Sequence, residues 1–164
     1  LPDYTLTNQM GKVISTSQFR GKTLVFTFIF TRCPFPTFCL RMTQNFADVQ
    51  DRLKAKPDLK DWHLLTISFD PEYDTPAKLA EYGKIHHQDP QWWSLATGDF
   101  DPIYRLTGQF GLYFSRNVAP QDQNHKLRTV VVNPEGRISA ILLGNEWTPD
   151  DLITAVAGAS GKKK

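Results

Sequence analysis

"LVFTFIFTRCPFPTFC", residues 24–39, joins an apolar run to a turn that carries both cysteines of this 164-residue chain. Residues 24–30 are aromatic or aliphatic on both faces, which suits a strand covered on two sides. Five residues separate Cys33 from Cys39, and two of them are Pro34 and Pro36. Each proline disfavours helix at the residue before it, so Cys33 and Phe35 are expected to be extended. The next helix therefore starts no earlier than about residue 36, with Thr37 as its natural cap and Cys39 in its first turn. There the unpaired backbone N–H groups and the helix dipole stabilise a thiolate. Cys39 is accordingly expected to be the more acidic thiol, with Cys33 presented on the turn leading to it. A structural disulfide, a redox switch, a peroxidatic thiol, a metal site or two small buried hydrophobes all remain open. The position, just past the C-terminal end of a buried strand, is where open α/β sheets place their sites.

Working outward, Met42, Phe46, Val49 and Leu53 recur at helical spacing and predict an amphipathic helix whose Met42 belongs to the core. Residues 63–69 read as a second buried strand. "DTPAKLAEYGK", residues 74–84, reads as a helix with Asp74 or Thr75 as cap and Pro76 at its first position. A short strand at 93–96, a helix at 101–109 and another short strand at 111–115, "GLYFS", follow. Residues 127–132 and 137–143 flank "NPEG", the turn chemistry of an antiparallel hairpin. "TPDDLITAVAG", residues 148–158, closes the chain as a capped helix, and "YTLTNQMGKVIST", residues 4–16, opens it as a hairpin. This order predicts one α/β domain over residues 1–160, a mixed central sheet with flanking helices and an N-terminal β-hairpin. It resembles the thioredoxin-like fold.

Composition excludes several classes. The chain is 40% hydrophobic and 22% charged, ordinary globular values. Its longest apolar run has seven residues and includes Thr27, far short of the ~20 needed to span a membrane. Of the net charge of +2, Lys162, Lys163 and Lys164 contribute +3, which leaves the body at −1. No basic stripe for nucleic acid exists, and residues 161–164 read as a solvated basic tail. Two cysteines cannot form a disulfide scaffold, so they do not fix the compartment.

Asp70 follows the second strand and, if that strand runs parallel to the first, emerges at the same edge as the cysteines. Turn and cap roles account for Asp74, Thr75 and Pro76 but leave Asp70 for a supporting role beside the site. Among four histidines, His86 and His87 are expected to be solvated and His63 structural. His125 lies in the polar stretch "QDQNH" before strand 127–132, and an antiparallel strand there would begin near the cysteines. Two thiolates and one imidazole suit copper, which accepts soft sulfur as Cu(I) and tolerates nitrogen as Cu(II). A structural zinc site would need a fourth ligand.

At this point "FIFTRCPFPTFCLRM", "ISFDPEYDTPAKLAEYGK", "HKLRTVVVNPEGRI" and "YTLTNQMGKVISTSQFRGK" together resemble the Sco/SenC proteins, thioredoxin-fold copper-binding factors linked to cytochrome c oxidase assembly. The likeness is collinear over nearly the whole chain. It implies copper thiolates at Cys33 and Cys39, a histidine ligand at His125 and a supporting acid at Asp70. It implies a cytochrome c oxidase subunit or another copper acceptor as partner. It also implies an extracytoplasmic, periplasmic setting, with an N-terminal membrane anchor lying outside this chain. The turn departs from the family's commonest one, which has three residues between the cysteines rather than five. The competing reading is a thiol-disulfide oxidoreductase without copper, using Cys33 and Cys39 as its redox pair. Such enzymes normally use a two-residue spacer and a cis-proline before the strand at 127, where this chain has "NHKLRT". A peroxiredoxin would need threonine at position 30 or 36, which hold Phe30 and Pro36. A binding module would use Trp92, Trp93 and Phe100 as an exposed docking patch, although aromatic residues near strands are more often core.

Overall fold

The computed structural model describes residues 1–123 and 126–161. His125 and the terminal lysines Lys162, Lys163 and Lys164 lie outside the described residues. The centre of the domain is a pair of parallel strands, β3 (Thr23–Ile29) and β4 (Trp62–Ser68), buried at every position. They pair in register from Thr23 opposite Trp62 to Ile29 opposite Ser68. Strands buried on both faces need apolar side chains on both, and both runs supply them. β5 (Trp93–Thr97) continues the parallel set beyond β4. The N-terminal hairpin of β1 (Thr5–Asn8) and β2 (Val13–Ser15) joins β5 antiparallel through β1. On the other side, β6 (Arg128–Val132) runs antiparallel to β3, and β7 (Ile138–Leu143) runs antiparallel to β6. The sheet order is β2-β1-β5-β4-β3-β6-β7, the mixed sheet with an N-terminal hairpin expected from the sequence.

Among the described residues, four α-helices flank it: α1 (Arg41–Lys54), α2 (Pro76–Ile85), α3 (Phe100–Gln109) and α4 (Pro149–Ala159). The Met42, Phe46, Val49 and Leu53 stripe of α1 is fully buried, each side chain contributing roughly 1.5–3 kcal/mol. Thr129 donates to Thr27 at 3.1 Å and meets the Met42 sulfur at 4.0 Å, so α1 covers the Thr27 face of β3. Phe110, at the end of α3, packs on Phe26 and Phe28, which project from the opposite face. Thr75 caps α2 by accepting from the Lys78 N–H, and Thr148 forms a capping box with Asp151 on α4.

One expectation is corrected. Residues 111–115 form no strand. Gly111, at φ +79°, reverses the chain after α3. Leu112 and Phe114 are then buried individually, Phe114 among Phe69, Phe100 and Tyr104. The Gln123 side chain, rather than a strand, satisfies the Ser115 N–H and C=O. Nor do the tryptophans form a docking patch. Trp93 is fully buried and donates to the Thr66 hydroxyl at 2.9 Å, Trp92 stacks on Trp62, and Phe100 packs against the core.

His63 is structural, as expected. It is buried on β4, stacks on Phe19 and lies 2.8 Å from the Ser94 hydroxyl. Burial, reinforced by Lys22, lowers its pKa from 6.5 to about 4. The unfolded chain therefore takes up this proton before the folded protein does. Stability should fall by roughly 3 kcal/mol as pH drops from 6.5 towards 4, then level off with respect to this group. Urea unfolding across this range, compared with His63→Gln, checks the expectation: the variant should lack this component of the decline.

Candidate functional site at the cysteine turn

β3 delivers the chain to the turn through buried Phe30, and the Cys33 N–H donates back to the Phe30 carbonyl at 3.1 Å. Phe35 is extended (φ −102°, ψ 108°), as Pro36 requires. Residues Pro36–Leu40 then form one wide helical turn, broken at Phe38 (φ −103°, ψ −105°), before α1 starts at Arg41. Thr37 does not cap α1. Leu40 holds the cap position with no side-chain bond, while the Thr37 carbonyl accepts from Asn145 Nδ2 at 2.7 Å. The loop between β7 and α4 thus grips the middle of the turn.

Cys39 consequently sits in the wide turn ahead of α1 rather than in its first turn, and it is 1% exposed. The expectation of an acidic Cys39 is reversed. The hydrogen bond with Cys33 pushes its thiol well above the usual cysteine range, and burial and the charge of Cys33 push it further. Neither cysteine is in a disulfide: Cys39 is buried, and Cys33 is half-buried with its Sγ 3.9 Å from the Phe35 carbonyl. The structure therefore brings the two predicted sulfur residues together, with the exposed one first in the chain.

Asp70 emerges at this edge, as the parallel pairing requires. Arg32 binds it with two bonds, Nε at 2.9 Å and Nη2 at 3.1 Å, the fork geometry that suits carboxylate. Arg32 also lies 4.1 Å from the Tyr73 ring centre, and Lys78 approaches the same ring. Asp74 was read from sequence as turn or cap, but Thr75 is the cap. The Asp74 side chain is fully buried and accepts from the Ser68 hydroxyl at 2.6 Å, from the Thr31 N–H at 3.1 Å and from the Thr31 hydroxyl. Burial raises its pKa, against the lowering effect of these bonds. The sequence signal for Asp74 was its spacing of four from Asp70, which lets one turn aim both carboxylates at the residues before Cys33.

β6 runs antiparallel to β3 and begins at Arg128, so the chain ahead of it comes from the edge that holds the cysteines. His125 lies outside the described residues. Elsewhere, His63 is opposite Leu24 at the far end of β3, His86 packs on Tyr82, and His87 is exposed at φ +61°. Among the described residues, no group of three His, Cys, Asp or Glu is arranged to hold a metal ion. A cleft of about 310 Å³, lined by Arg32, Asp70, Tyr73, Phe114 and Arg116 among others, opens beside the turn.

The sequence profile of the SCO1/SenC family matches residues 1–160. The SCO1 protein homolog of Bacillus subtilis is 30% identical over 166 residues, covering 98% of this chain and 82% of that protein. The chain spans about half the length of the mitochondrial SCO2 homologs it matches. BsSco, a member of the Sco family of cytochrome c oxidase assembly proteins in which a disulfide switch was identified, superposes with a TM-score of 0.82 at 29% identity, covering 99% of this chain and 94% of its own. A SCO1/SenC family lipoprotein from Bacillus anthracis gives 0.85 at 25% identity, covering 98% and 94%. Yeast Sco1 with copper bound shares the fold, with a TM-score of 0.81 at 24% identity over 99% and 89%. The seven-stranded sheet is thus the thioredoxin-like one of these proteins, and in sequence and architecture alike the chain belongs to the SCO1/SenC family.

Proposed function

We propose that this chain binds copper through Cys33 and Cys39 and passes it to an acceptor protein, such as a cytochrome c oxidase subunit, during oxidase assembly. The observation that carries the reading is the pair of thiols held side by side at the C-terminal edge of the parallel strands. Two sulfur donors fit Cu(I), a soft ion that tolerates low coordination. His125 is the third ligand in this reading, added most usefully to Cu(II), which accepts imidazole. Asp70 supports the site through Arg32, the residue before Cys33. Copper must displace the thiol protons, so binding strengthens as pH rises. The half-buried Cys33, one residue after Arg32 in the lining of the cleft, leaves room for an acceptor's own ligands to approach. Family membership, with a lipoprotein relative, supports an extracytoplasmic setting and a membrane anchor on the full-length protein.

A second reading is thiol-disulfide exchange at the same pair, without copper. The hydrogen bond between the two thiols favours it, as does the disulfide switch identified in BsSco. Cys33 is then the attacking thiol and Cys39 the resolving one, because only Cys33 reaches solvent.

Anaerobic titration with Cu(I) against a competing chelator separates the readings. Copper handling predicts one tightly held copper per chain, lost in Cys33→Ser/Cys39→Ser; absent binding with ready disulfide formation would leave thiol exchange alone. His125→Ala should weaken Cu(II) at least about tenfold more than Cu(I), and equal losses would refute that division of labour. In the metal-free protein, iodoacetamide should label Cys33 at least about tenfold faster than Cys39, as followed by peptide mass spectrometry. Equal rates would show that the burial of Cys39 does not control its reactivity.

A further inference from the structure

Two carboxylates from the turn between β4 and α2 hold the two residues that lead into Cys33. Asp70 takes Arg32 in a pair open to solvent, Arg32 being 38% exposed. Asp74 takes Thr31 in a contact that is buried on the carboxylate side and half-buried at Thr31. The carboxylate is fully buried and accepts from the Thr31 N–H, the Thr31 hydroxyl and the Ser68 hydroxyl. Ser68 is the last residue of β4 and stands opposite Ile29, the last residue of β3. Asp74 therefore bridges the exits of both strands where their ladder ends. Burying a carboxylate here carries a desolvation cost, and helix capping does not explain it, because Thr75 is the cap.

We propose that Asp74 is a positioning residue for the thiol pair: through Thr31 it fixes the point from which Cys33 projects and so sets the Cys33 sulfur against that of Cys39. The far side of the pair is held independently, by the grip of Asn145 on Thr37 and by the burial of Cys39. Releasing Thr31 lets Cys33 wander relative to a fixed Cys39, which lowers the effective concentration of one thiol at the other. This inference rests on the reading of Cys33 and Cys39 as a working pair, with or without copper.

The test is the equilibrium of the metal-free protein with glutathione. Cys33 and Cys39 lose two electrons and two protons and form one S–S bond; glutathione disulfide gains them and leaves as two thiols. Asp74→Ala should lower the equilibrium constant for disulfide formation at least about tenfold. Asp74→Asn keeps the shape, an acceptor for the Thr31 N–H and an amide facing the Thr31 hydroxyl, and should stay within about threefold of the wild type. Ser94→Ala removes the partner of His63 at the far end of the sheet, and should leave the constant unchanged. An unchanged constant in Asp74→Ala would overturn the proposal, as would an equal fall in Asp74→Asn or in Ser94→Ala. Should Asp74→Ala not fold, Thr31→Val carries the same test, with a fall of about threefold or more expected and no change overturning it. Failure of the wild type to bind copper would refute the copper reading and leave this constant measurable. An unchanged constant in Asp74→Ala with copper binding intact would refute the positioning role alone.

Discussion

The parallel register of β3 with β4 is the constraint from which the cysteine turn hangs. Hydrophobicity does not set it, because both strands are apolar on both faces and a one-residue slip would still bury apolar side chains. Buried polar pairs fix the neighbouring pairings instead: the Thr66 hydroxyl receives the Trp93 indole N–H and His63 meets Ser94 between β4 and β5, and the Thr129 hydroxyl donates to Thr27 between β6 and β3. Losing such a partner carries a penalty of about 1–3 kcal/mol. The polar contacts that distinguish the β3–β4 register lie at its exit. At the end of the ladder the same register puts Ser68 beside Ile29, and so places Asp70 against Arg32 and Asp74 against Thr31. A slip of one residue would carry the carboxylates past the residues they hold, and the turn would lose both anchors on its first side.

Much of this architecture is legible in local patterns. The apolar run at 24–30, the stripe from Met42 to Leu53 and the "NPEG" turn each state their element within a dozen residues. The turn's Gly136 takes φ +87°, a backbone position that glycine occupies without steric cost. Thr148 and Asp151 declare the start of α4 in the same way. What local reading misses comes from elsewhere in the chain. Residues 111–115 alternate like a strand, yet the Ser115 backbone is satisfied by the Gln123 side chain, the Leu112 N–H donates to the Thr107 carbonyl, and Phe114 enters an aromatic cluster.

The site shows the same division more sharply. Both cysteines and Asp70 are found at one edge because strand order alone puts them there. The acidity assigned to Cys39 assumed that α1 begins at the nearest good cap. Asn145, 108 residues further on, instead takes the Thr37 carbonyl, and the chain breaks at Phe38 before the helix begins. Asp74 was hidden for a related reason. Its neighbour Thr75 satisfies every local requirement of a helix start, while the role of Asp74 depends on Thr31, 43 residues away.

The resulting pair is unequal, and that inequality governs both chemistries open to it. Cys39 is buried and keeps its proton tightly, so at neutral pH it is a poor nucleophile and a poor ligand on its own. In the proposed readings, Cys33 is the sulfur that an incoming ion or a partner disulfide would meet first. Once that first bond forms, Cys39 is already within hydrogen-bonding reach, and closing the second bond requires loss of a proton but little movement of the chain. A metal ion would supply the positive charge that favours this loss; in thiol exchange, the partner sulfur of a mixed disulfide at Cys33 would be the leaving group. Either proposed sequence would therefore begin at Cys33 and end at Cys39. The stiff turn between them, held by carboxylates before Cys33 and by Asn145 at Thr37, keeps the second step short.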